Sequence, residues 1–104
     1  MALRQFDICE NPSPRQRGAA PYLVRLSSHL ILDLHEVVVA PVVRADLLES
    51  SALDVAVFVG DEPFMVSVLG MAAVRDTDLK GRAGSLIAYE FDIRRALDRL
   101  FTGF

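Results

Sequence analysis

The sequence lacks most of the features that mark secreted, membrane-spanning or nucleic-acid-binding chains. It holds one cysteine, Cys9, in 104 residues. No disulfide can form within the chain, and a thiol outside any disulfide framework fits a reducing compartment. The longest apolar runs are Val37 to Val43 and Val55 to Gly60, far short of the ~18 residues a spanning helix needs. The first residues, MALRQFDICENP, carry Arg4 and Asp7 and no apolar export signal. The expected compartment is the cytoplasm, with no membrane association. Positive charge is not in excess: 11 basic against 14 acidic residues gives a net of −3. That is the wrong sign for a chain held to nucleic acid by its own field, and the neighbouring Arg15 and Arg17 read as solvated loop residues. No repeat, low-complexity tract or linker divides the chain, so residues 1–104 read as one domain.

Apolar residues, by contrast, are plentiful at 52%. A core this small does not absorb them all, and the surplus points to a subunit interface, most simply a two-fold homodimer. Short β-type runs supply most of them. RQFDIC alternates as a first strand, and ENPSPRQRGAAP, with three prolines and a glycine, reads as a mobile loop. YLVRL is a second strand. In SSHLILDLHE the alternation of Leu30, Leu32 and Leu34 favours a strand over a short helix. VVVAPVV is strongly β-branched, and Pro41 predicts a break or a sheet edge there. DVAVFVGDEPFMVSVLG reads as a hairpin with the four-residue loop GDEP. MAAV extends it, and RDTDLKGRAG reads as a loop.

The period changes at Ser85. Leu86, Tyr89, Ile93, Ala96, Leu97 and Leu100 are spaced by three and four, which predicts an amphipathic helix with Ser85 as N-cap and Gly103 as the left-handed stop. Glu90 and Asp92 lie early and Arg94, Arg95 and Arg99 late, as the helix dipole favours. Short strands followed by one helix predict a mainly antiparallel α+β domain.

Catalytic chemistry has little to rest on. His29 and His35, six apart on a strand, would stand about 20 Å from each other, too far to share a metal. Asp61 and Glu62 are adjacent carboxylates but sit in a turn, where Asp serves geometry. GRAG is too short for a nucleotide loop. No cofactor, metal or catalytic residue is expected. Phe91 and Phe101 lie off the centre of the main apolar stripe, and Phe104 lies beyond the helix. They either wrap back onto the core or form an aromatic hot spot for a partner, and the spacing alone supports both.

Taken in order, QF in the first strand, VVVAPV, VFVGDEPF, GMAAV and the ending EFDIRRALDRLFTGF make the chain resemble the CcdB family, toxins of bacterial toxin–antitoxin pairs. The resemblance implies an SH3-like antiparallel sheet or barrel, a small extra sheet, one C-terminal helix and a homodimer. It implies no enzyme activity. Instead it implies a protein that binds the A subunit of DNA gyrase and traps gyrase with cleaved DNA, with a CcdA-like antitoxin as second partner. The family's gyrase contacts fall on Leu30, Ile31, Asp98, Phe101, Thr102, Gly103 and Phe104. Thr102 stands where the best-known pattern has tryptophan, Phe104 where it has isoleucine, and Asp98 where it has a neutral amide. The alternatives are a MazF-like endoribonuclease toxin, or an interaction protein of this fold without gyrase poisoning.

Overall fold

The architecture is given by a computed structural model, which describes residues 3–31, 35–47 and 51–103. Among these residues seven strands, Asp7–Glu10 (β1), Tyr22–Arg25 (β2), Glu36–Arg44 (β3), Asp54–Val59 (β4), Glu62–Ser67 (β5), Ala72–Arg75 (β6) and Arg82–Ser85 (β7), precede one α-helix, Glu90–Thr102 (α1). The strands form a curled antiparallel sheet in the order β4-β5-β3-β2-β1-β7. β6 branches onto the first half of β3. The α+β, SH3-like class expected from the sequence is the one observed.

The central strands are buried on both faces, which is why they read as near-continuous apolar runs. Period-two alternation divides them between two clusters. Ile8, Val24, Ala40 and Val42 join Phe64, Val66, Leu86, Ile93 and Ala96 under the helix. Cys9, Leu23, Val37 and Val39 meet Leu3 on the other side. Tyr22 packs edge-on against Phe64, with ring centroids 5.7 Å apart.

Five local expectations are corrected. Pro41 neither breaks β3 nor lies at a sheet edge; it pairs with Leu23 inside the longest strand. The Leu26 N–H donates to the Val38 carbonyl, so even-numbered β3 residues bond toward β2 and the nitrogen of Pro41 faces the other way. There β3 changes neighbour, from β6 at Val39 to β5 at Val42, and no ladder bond is lost. The hairpin loop is two residues, Gly60 and Asp61, because Val59 already pairs with Glu62. Gly60 has φ +62°, and a positive φ at the first loop position alone is the type II′ pattern. Residues 82–84, expected as loop, form β7 against β1 together with Ser85, the expected N-cap; at four residues the strand is too short for periodicity to register. Residues 27–31, expected as strand, form a turn, with Leu32 and Leu34 outside the described residues. Ser85 accepts a hydrogen bond from the Ile87 N–H (3.2 Å) and so opens a 3-10 turn, Ile87–Tyr89, while α1 proper begins at Glu90 after Tyr89. Gly103 ends α1 as expected, at φ +78°, its N–H donating to the Arg99 carbonyl.

The proline-rich loop between β1 and β2 is held from inside. Asn11 is buried, and its amide donates to the Ala20 carbonyl (2.9 Å) while its oxygen accepts from the Ser13 N–H (3.0 Å).

Candidate protein-binding site

α1 has two faces of opposite use. Ile93 and Ala96 are buried against β4 and the 3-10 turn Val68–Gly70. On the outer face Phe91 is 90% and Phe101 71% exposed. Their positions remove one of the two readings left open by the sequence for these two rings: both face outward and neither returns to the core. Phe91 and Asp98 are seven apart, and Phe101 and Thr102 follow at three and four, so all four share one side of the helix. Asp98 is exposed. Arg94 between them is engaged by Glu90 at 2.8 Å.

At the helix end, the Thr102 hydroxyl donates to the Asp98 carbonyl (2.6 Å). That donor is occupied within the helix, and Thr102 as a whole is exposed. Gly103 then turns the chain in the left-handed region. Phe104 lies outside the described residues.

Leu30 and Ile31 are also exposed, at 77% and 55%, but they belong to another neighbourhood. They follow His29, whose Nδ1 accepts from the Gln5 N–H (3.1 Å). Arg25 ties this turn to the N-terminal segment by donating to the carbonyls of Leu3, Ser27 and Ser28. His29 lines a cavity of about 710 Å3 together with Arg4, Gln5, Arg82, Ile87 and Glu90. From Glu90 to Thr102 the helix runs about 18 Å. Within one chain, therefore, the turn residues and the helix end do not form a compact cluster.

The remaining candidates are structural. Glu62 pairs with Arg44. His35 is exposed at the start of β3. Among the described residues no group of three His, Cys, Asp or Glu could hold a metal ion, and no helix is long and apolar enough to cross a membrane. Burial pushes the Cys9 thiol pKa up from its ordinary value of 9.0, against a smaller lowering from a Leu23 backbone hydrogen bond. Nothing along the chain signals the cavity, since Arg4, His29 and Arg82 are far apart in sequence and belong to no motif.

Comparison with solved structures finds the same fold in the Mycobacterium tuberculosis toxin MazF-mt6, with TM-score 0.71, 21% identity, 94% of this chain and 96% of that one covered. A second M. tuberculosis toxin structure matches with TM-score 0.68 and 24% identity over 77% of this chain and 91% of the other. No curated protein sequence matches. The family model described as CcdB protein matches residues 5–103. That span includes the first strand, the hairpin and the terminal helix, and the chain belongs to the CcdB family, the toxins of toxin–antitoxin pairs.

Proposed function

We propose that this protein is a gyrase-directed toxin. As a homodimer in the cytoplasm it binds the A subunit of DNA gyrase, holds the enzyme on cleaved DNA, and is neutralised by a CcdA-like antitoxin. It does this by surface contact and carries out no catalysis of its own. The observation that carries the reading is the outer face of α1, where Asp98, Phe101 and Thr102 stand exposed beside the Gly103 turn, at positions where the family's gyrase contacts fall. Aromatic anchors of this kind dominate binding energy at protein interfaces. Leu30 and Ile31 add a second contact, and a dimer supplies two copies of each. The test is purified gyrase with relaxed plasmid: the toxin is expected to accumulate linear DNA, and unchanged DNA overturns the reading.

A ribonuclease reading draws its support from the fold shared with MazF-mt6. Incubation with RNA separates the two, because sequence-specific cleavage without gyrase is expected only of a ribonuclease.

A further inference from the structure

We propose that the cavity between the Arg4–Asp7 turn and the start of α1 is a second protein-binding site, which receives one acidic side chain from an otherwise apolar segment of a partner protein.

The floor of the cavity is a strained turn. The Asp7 N–H donates to the Arg4 carbonyl (3.0 Å), and the Asp7 carboxylate accepts from the Arg4 N–H (2.9 Å). Between them Phe6 has φ +69°, an uncommon conformation for a residue with a large side chain. The surroundings hold it there. The Phe6 ring is buried, Arg94 lies over it at 5.4 Å, its N–H donates to the Arg25 carbonyl, and its carbonyl accepts from the Leu86 N–H. Strain kept up by so many contacts is typical of sites where a surface must hold a set shape.

The polar groups of the cavity are unevenly satisfied. Its acceptors are engaged: Asp7 is buried, with Arg82 Nε at 3.2 Å, and Glu90 is held by Arg94. Its donors are not. Among the described residues the Arg4 side chain has no ion pair or hydrogen bond, and Arg82 uses only Nε. With Nδ1 of His29 accepting from Gln5, the ring proton sits on Nε2. Open donors over engaged acceptors suit an anion, and guanidinium groups suit a carboxylate or a phosphate.

Charge and rim choose the kind of anion. Asp7 and Glu90 offset Arg4 and Arg82 in the lining, which favours a single charge over a chain of them. The surroundings are apolar: Ile87 lines the cavity, Phe91 follows one turn later, and Leu30 and Ile31 adjoin His29, all exposed. A nucleic-acid strand brings successive phosphates and calls for a cationic rim. A peptide with one acidic residue between apolar ones matches both floor and rim. None of Asp98, Phe101 and Thr102 lines the cavity; Leu30 and Ile31 on its rim are shared with the proposed gyrase surface, and the peptide test below does not involve gyrase.

The test is amide NMR of the full chain with an acetylated, amidated Leu-Glu-Ile-Leu tetrapeptide. Saturable shifts are expected at Gln5, His29, Arg82 and Ile87. Replacing the peptide's glutamate by glutamine, or Arg4→Glu in the protein, is expected to weaken binding by about tenfold or more, with circular dichroism of the variant unchanged. Arg4→Ala serves as second variant if Arg4→Glu disturbs folding. Equal affinity for the two peptides, insensitivity to the Arg4 variants, or an unshifted spectrum overturns the proposal. So does tighter saturation of the same resonances by inorganic phosphate or hexauridylate, which would make the cavity a phosphate site.

Discussion

Single residues divide here into those buried in the fold and those left in solvent. Phe101 belongs to the second group: its ring is mostly in solvent, so removing it leaves no core cavity. Phe101→Ala is expected to shift stability by no more than about 0.5 kcal/mol while weakening target binding by roughly 2 kcal/mol or more, as loss of an aromatic hot spot does. Thermal melting and a gyrase pull-down check the two halves separately. Cys9 belongs to the first group. Its thiol pKa is raised in the folded state by burial. A raised folded value means that the unfolded chain ionises first, so the contribution is full below the ordinary value of 9.0 and lost as pH climbs through the folded value. The wild type is therefore expected to lose stability above about pH 9 more steeply than Cys9→Ala, as seen in melts across the alkaline range. In the sequence Phe101 is legible as an off-stripe aromatic, whereas Cys9 alternates with Phe6 and Ile8 on the side of Gln5 and Asp7, and its burial shows only in the second cluster with Leu23 and Val39. Phe6 is not, because nothing in a phenylalanine announces a positive φ; only the closure of β1 between β2 and β7 imposes it.

At the scale of elements, the contact between the 3-10 turn Val68–Gly70 and β3 is the least forgiving. A Cβ on Gly70 would meet Pro41 Cγ at 2.9 Å and Cδ at 3.1 Å. A proline ring has little freedom to withdraw, so Gly70→Ala is expected to cost about 1–3 kcal/mol, measurable as a lower urea midpoint with an unchanged slope. The same strand explains why the proline rule misleads here. A proline is expected to break a central strand because the ladder needs its N–H. Yet β3 changes partners from β6 to β5 at Pro41, and the missing donor faces the exchange point. The helix is legible because Ile93, Ala96, Leu97 and Leu100 form one stripe. Strand β7 is not, because four residues containing a glycine and exposed at Arg82 and Ala83 carry no period to read.

For the whole molecule the decisive experiment is a short truncation. Residues 102–104 follow the last buried turn of α1, and their described bonds are the Thr102 hydroxyl to Asp98 and the Gly103 N–H to Arg99, both at the exposed helix end. Deleting them is expected to lower stability by only about 1 kcal/mol and to abolish killing of bacteria. A truncated protein that folds and still kills would remove the helix end from the mechanism. A full-length Arg4→Glu protein, by contrast, leaves the helix end untouched, so its killing reports on the cavity and its rim rather than on residues 102–104.

The sequence by itself determined the class of fold, the hairpin, the amphipathic helix with its glycine stop, and the family. All of these rest on local periodicity and on motifs read in order along the chain. Tertiary structure decided the rest. It set Leu30 and Ile31 beside one end of α1 and left Phe101 and Thr102 at the other, and it turned both helix phenylalanines to solvent. It also gathered Arg4, His29 and Arg82 around one cavity. Such placements depend on which strands pair across tens of residues, and that is settled by burying two sheet faces at once rather than by any local pattern.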